Sequence, residues 1–350
     1  MKKITKLFLV ILSAASFTLS AVAGELSVTG GVTATYKLNG ADMAAGKGLG
    51  VSNELDFNAS GDLDNGMSWK WQTQLDDSGT VNDDTRLELG TNYGTFGIYI
   101  SENDISSKLG YGIGALGVGS DYTGPSTVEW GTTMNSYNNF GYVSPAGLLP
   151  FGAVVKAAYS PNLSNAAGAS AKADGTVETK AVGDDATQYN ITLSPIEGLT
   201  VGADYMTVSG GVSTIRYNQE SAGAFAKYAA GPFTVGYAKT GYQPTENKNG
   251  AVTTATINYE TDMYGIQFAV NDALTLSWSE EKSTKHTSSK LSAIAGRTAA
   301  TDVDMSITHI QAAYVIGGAT VGVAIADADD ADYTTGKQEK TTTFQIAMAF

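Results

Sequence analysis

Few side chains in this sequence have the types and spacing that covalent chemistry asks for. His286 and His309 are the only histidines. A serine hydrolase needs Ser and His in hydrogen-bond reach with an orienting partner. Nothing around Ser288 or Ser306 marks a nucleophile, and no Gly-x-Ser-x-Gly elbow occurs. The absence of cysteine removes disulfides, thiolate metal sites and thiol nucleophiles. Gly112-Ile113-Gly114-Ala115-Leu116-Gly117 fits the dinucleotide fingerprint letter for letter. That motif works only where a strand feeds a helix whose N-terminus holds pyrophosphate, and Val118 to Pro125 cannot form such a helix. These are flexible loop glycines. Asp327, Asp329, Asp330 and Asp332 could hold Ca2+ through carboxylates or bridge it to anionic lipid headgroups, but the run lacks the glycine and closing glutamate of an EF-hand. It reads better as a solvated loop. The sequence therefore points away from an enzyme and assigns no cofactor beyond this weak Ca2+ candidate.

The charges must instead act through the elements that carry them. Met1 to Ala23 places Lys2, Lys3 and Lys6 before the apolar run Leu7 to Leu12 and ends on Ala21-Val22-Ala23, the form of a secretory signal cut before Gly24. That run is shorter than the roughly 20 apolar residues of a spanning helix. Without those three lysines the 21 basic residues become 18 against 35 acidic ones, a net charge of −17. Nucleic acid is then an improbable partner, because its binding rests on basic contacts to phosphate. A pore lined by such a chain would concentrate cations.

From Glu25 onward, alternating segments predict strands throughout. Thr341 to Phe350 sets Phe344, Ile346, Met348 and Phe350 on one face, with Thr343, Gln345 and Ala347 on the other. In strands two to four, Leu55 and Phe57 oppose Glu54 and Asp56, Trp69 and Trp71 oppose Lys70 and Gln72, and Leu87 and Leu89 oppose Arg86 and Glu88. A Lys or Arg at the lipid midplane costs about 2–4 kcal/mol. Lys37, Lys70, Arg86 and Lys156 should therefore face water inside a barrel. About sixteen strands alternate between short turns and long polar loops, the order of a bacterial transmembrane barrel. Val252 to Val270 slips phase near Met263-Tyr264, which predicts a bulge there. Phe96, Phe151, Tyr228, Phe233, Tyr314 and Phe350 fall near short-turn ends and Tyr36, Tyr159, Tyr205 and Trp278 near loop ends, matching two interfacial girdles. The fold class is all-β: residues 1–23 form the signal and 24–350 one transmembrane antiparallel barrel.

The signal, the opening Gly-Glu-Leu-Ser-Val-Thr-Gly-Gly-Val, the Gly231 to Tyr237 segment Gly-Pro-Phe-Thr-Val-Gly-Tyr and the terminal Phe350 resemble the general diffusion porins of Gram-negative outer membranes, most of all the Rhodobacter-type branch. The resemblance implies a homotrimer of sixteen-stranded barrels among outer-membrane lipid and lipopolysaccharide, with Phe350 read by the barrel-assembly machinery. It also implies that the third long loop, 101–136, folds inward to narrow each pore. Glu102, Asp104, Asp121 and Glu129 would then oppose Lys37, Lys70, Arg86 and Lys156 across the lumen and set a transverse field. The enterobacterial Pro-Glu-Phe-Gly-Gly is replaced by Gly124-Pro125-Ser126-Thr127-Val128-Glu129-Trp130-Gly131, and only Arg86, Arg216 and Arg297 are available as arginines. The implied function is passive, cation-preferring diffusion of small hydrophilic solutes and ions. A substrate-selective channel on the same fold and a soluble extracellular β-rich adhesin or lectin are the alternatives.

Overall fold

The computed structural model describes residues 25–43, 45–76, 81–117, 127–161, 185–209, 215–244, 246–247, 255–288 and 302–350. The expected signal segment and Asp121 lie outside them. The strands are β1 (Glu25–Ala41), β2 (Gly46–Asp62), β3 (Ser68–Asp76), β4 (Val81–Thr91), β5 (Gly94–Ile100), β6 (Asn139–Val143), β7 (Val154–Ser160), β8 (Ala186–Ile196) and β9 (Leu199–Val208). They continue as β10 (Ile215–Tyr217), β11 (Gln219–Ala230), β12 (Phe233–Gln243), β13 (Glu246–Asn247), β14 (Ala255–Ala269), β15 (Leu274–Ser288), β16 (Val303–Ile316), β17 (Ala319–Asp329) and β18 (Gln338–Ala349). All but β10 and β13 join one closed antiparallel barrel, each strand paired with its neighbours in the chain; β10 and β13 form a separate two-stranded ribbon. The barrel thus has the expected sixteen strands.

Closure joins the two ends of the chain. β1 pairs with β18 from Gly31↔Ala349 to Ala41↔Glu339. Beyond that ladder, Phe350 N–H donates to the Gly30 carbonyl at 2.9 Å and Gly30 N–H donates to the Phe350 carbonyl at 2.9 Å. In lipid an unpaired edge would leave a row of backbone groups without partners, and closure removes it. Gly30 suits this junction because a Cβ there would lie 2.4 Å from the Glu54 carbonyl oxygen.

Alternation then sorts the two faces. On β18, Phe344, Ile346 and Met348 are exposed to the outside, whereas Thr341 and Thr343 are buried on the lumen side. Outward rings stack between neighbouring strands, Tyr36 on Phe344 and Phe233 on Phe268. Three details differ from the sequence reading. No slip occurs at Met263-Tyr264, which pair regularly with Glu281 and Glu280; the irregularity falls between Thr256 and Asn258. The Gly-rich stretch before Asn53, which composition suggests is a loop leading into a strand over Asn53 to Asp62, continues β2 back to Gly46, because β1 extends far enough to pair with it. For the same reason β15, which the alternation predicts over Ala273 to Lys282, has partners on both sides and runs on to Ser288.

Candidate functional site: the lumen and its inward loop

After β5 the chain turns into the barrel through Ser101 (φ 57°) and Asn103 (φ 83°), left-handed conformations that asparagine tolerates better than most residues. Asn103 Nδ2 donates to Asn139 Oδ1 at 2.8 Å, and Asn139 Nδ2 donates to the Glu102 carbonyl at 2.9 Å, so the outgoing and returning ends of the segment are tied together. One short helix follows, α1 (Ser107–Tyr111), closed by Gly112 in the left-handed region.

Polar side chains on the lumen wall hold the backbone of this inward loop. Ser107 N–H donates to Asp204 Oδ1 at 2.6 Å, Ala115 N–H to Ser277 Oγ at 2.8 Å and Leu116 N–H to Gln311 Oε1 at 2.9 Å. On the returning limb, Thr261 Oγ1 donates to the Glu129 carbonyl at 2.8 Å, Thr132 N–H to Ser221 Oγ at 2.9 Å and Met134 N–H to Gln188 Oε1 at 2.8 Å. Each bond between neutral groups is worth about 0.5–1.5 kcal/mol net, and one to a charged group about 1.5–3 kcal/mol. Three apolar clusters fill the spaces between. Ile105 and Met134 pack on Ala158, Ala186, Met206 and Val208; Tyr111 and Ile113 on Phe225, Ala238 and Met263; Val128 on Met305, Ile307, Ala326 and Ala328. Wall glycines let the loop approach: a Cβ on Gly236 would lie 2.7 Å from Ile113, and one on Gly322 would lie 2.5 Å from Leu116. The segment read as flexible glycines is therefore pressed against the wall, with Ile113 fully buried.

Because the described parts of the loop lie along the β7–β17 side, the described residues leave a passage beside β1–β4. A cavity of about 870 Å³ runs there, lined on the lumen side by Thr29, Thr33, Ser52, Glu54, Asp56 and Gln74. Toward the short-turn end a further 120 Å³ is lined by Ser27, Asn58, Ser60, Lys70, Gln72 and Arg86.

The charges are distributed differently from two rows facing across a gap. Arg86 Nη1 lies 3.4 Å from Glu102 Oε1, so these two meet directly at the base of the loop. Burial pushes the Glu102 carboxyl up to about 7, helped by Asp84, Glu88 and Asp56, and the neighbouring Arg86 only partly offsets this. Asp104 accepts the Ser106 N–H at 2.8 Å and so shapes the start of α1. Glu129 lies against the β14 wall, its Oε1 accepting the Gly131 N–H at 3.2 Å, and burial raises its pKa. Lys70 is in register with Glu88, Lys37 with Thr343 and Lys156 with Asn190, all in the lumen phase. Glu54 and Asp56, which the sequence reading placed on a water-facing strand but not at the site, are the acids that line the open passage. Their alternation with Leu55 and Phe57 was the available signal.

Asp327 and Asp329, expected in a solvated loop, lie on β17 because it pairs with β18 as far as Asp329↔Gln338, and the four aspartates are drawn to separate partners. Asp327 pairs with Lys340 at 2.6 Å, Asp329 accepts from Gln338 at 3.2 Å, Asp330 from the Gly336 N–H at 2.6 Å, and Asp332 pairs with Lys337. No group of three or more His, Cys, Asp or Glu side chains placed to hold a metal ion occurs among the described residues.

Comparison with solved structures returns the same architecture. OmpT, an outer membrane protein of Vibrio cholerae, is 12% identical with a TM-score of 0.67, the match covering 95% of this chain and 100% of that one. The anion-selective porin from Comamonas acidovorans is 12% identical with a TM-score of 0.66, covering 93% and 100%. A mutant of the Rh. blastica porin is 15% identical with a TM-score of 0.56, covering 93% and 100%. The fold is that of these barrels. At such identities the likeness is one of fold, and it does not single out one branch. No family model and no curated protein matches the chain.

Proposed function

We propose that this chain is an outer-membrane pore through which small hydrophilic solutes and ions diffuse passively, with a preference for cations. The observation that carries this reading is the closed barrel, apolar outside and polar within, in which the described parts of the inward loop lie against one wall and leave a passage beside the other. Glu54 and Asp56 on that passage, and Glu102 at its edge, supply negative charge where a permeating ion passes, and rings of charge tune which ions cross. Diffusion needs no nucleophile or bound energy source, and this reading assigns none. It includes residence in a Gram-negative outer membrane among lipid and lipopolysaccharide, assembly as a homotrimer, and recognition of Phe350 by the assembly machinery.

Refolded protein in a planar bilayer should give step-like conductance and a cation-selective reversal potential. Strong anion selectivity would overturn the preference, and absence of conductance would overturn the pore. Replacing Asp121 and Glu129 by neutral residues should lower the cation preference. Saturable block by a sugar or amino acid would favour a substrate-selective channel. Failure to fractionate with outer membranes, with no heat-modifiable gel mobility, would favour a soluble adhesin.

A further inference from the structure

Where the returning limb of the loop meets the wall stands a row of tyrosines that simple diffusion does not use. Tyr242 of β12 and Tyr259 of β14 have ring centroids 6.0 Å apart and nearly parallel planes, and Tyr333 continues the row 5.2 Å from Tyr259. Lys285 Nζ lies 5.9 Å from the Tyr259 centroid and 5.7 Å from that of Tyr333, so these ring faces already receive an ammonium. A ring quadrupole attracts a cation within about 6 Å of its centroid.

Glu129 belongs to the same cluster. Its backbone N–H donates to Tyr333 Oη at 2.9 Å, and its carboxylate accepts from Gly131, which lies against Tyr242: a Cβ on Gly131 would lie 3.5 Å from the Tyr242 Cβ. Glu129 is partly buried, and its carboxylate's hydrogen bond comes from the neutral Gly131 N–H. A partly desolvated carboxylate beside aromatic faces favours a cation that carries apolar groups, because such a cation loses little hydration on entry. A small, strongly hydrated ion gains less from the rings.

We propose that Glu129, Tyr242, Tyr259 and Tyr333 form a subsite for organic ammonium ions on the long-loop side of the constriction, in competition with Lys285. The inference rests on the pore reading and names a solute class for it. The incoming cation takes Glu129 as counter-charge and the rings as its walls, and the Lys285 ammonium withdraws toward water.

The test is single-channel recording in KCl with tetramethylammonium chloride added to either side. Wild-type current should fall saturably with concentration, at lower concentration from one side than from the other. The half-blocking concentration should rise about tenfold or more in Glu129→Gln and in Tyr259→Leu, and stay near wild type in Glu129→Asp. It should fall in Lys285→Met, which removes the competitor. Opposite responses of Glu129→Gln and Lys285→Met are what a general loosening of the loop would not produce. Block that is unsaturable, or that moves in the same direction in both variants, overturns the subsite. Ligand-observed NMR of tetramethylammonium with the detergent-folded barrel separates the two readings. Binding without any potassium current sinks the pore alone, whereas current without binding sinks the subsite alone.

Discussion

Replacing Ile113 by alanine should free the inward loop without opening the barrel. Ile113 is fully buried among Tyr111, Phe225, Ala238 and Met263. Two of its walls are backbone: Cβ atoms on Gly236 and Gly265 would lie 2.7 Å and 2.9 Å from its carbons. Large-to-small core changes of this kind cost about 2–5 kcal/mol, more where the surroundings cannot collapse into the space. Here the neighbouring strands are fixed by ladders on both sides and the glycines have no side chains to swing inward, so about 3–5 kcal/mol is expected. At about 1.4 kcal/mol per decade this raises local opening by roughly two to three and a half decades. Hydrogen exchange of the amides from 105 to 117 in the folded, detergent-solubilised protein should accelerate by that factor, with noisier open-channel current. Exchange on β1 and β18, which Ile113 does not touch, should stay unchanged. Unaltered exchange on the loop would refute the view that this side chain anchors it, and loss of the folded barrel would refute the view that the wall is self-sufficient.

Lowering the pH from 8 to 6 should weaken cation preference. Burial holds the Glu102 carboxyl at about 7, above its ordinary value, so the fold favours the protonated form; the cost of charging it grows as pH rises from 4.5 through 7, and the pore gains this negative charge only as pH rises through about 7. Reversal potentials measured across that interval should shift in wild type and not in Glu102→Gln. Gly30→Val should impair closure, since its Cβ would meet the Glu54 carbonyl oxygen at 2.4 Å; the yield of heat-modifiable, folded protein on gels should fall severalfold. Removing Phe350 deletes both 2.9 Å backbone bonds to Gly30 and should lower the same yield. Asp56→Asn keeps the shape that Gln72 and Gln74 bond to at 2.9 Å and 3.2 Å but removes a charge from the passage, so cation preference should drop with folding yield unaltered.

Much of this molecule was legible in one dimension. A strand side chain has only two directions to point, so Lys70, Arg86 and Glu88 against Trp69, Trp71 and Leu87 fix inside and outside without any knowledge of the partner strands. Short turns separate most neighbouring strands, and that locality let sixteen of them be counted. The terminal Phe350 marked the closing strand for the same reason.

Which lumenal charges meet was decided only by the tertiary structure. Glu102 and Arg86 touch because Ser101 and Asn103 turn the chain back toward β4, and Glu54 and Asp56 face the open passage because the loop packs on the opposite wall. The glycines of β12, β14 and β17 reveal their purpose only once Ile113 and Leu116 lie over them. Alternation encodes a contact between adjacent strands because it repeats every two residues. A loop crossing the lumen meets side chains from strands scattered along the whole chain, and no local period records those meetings.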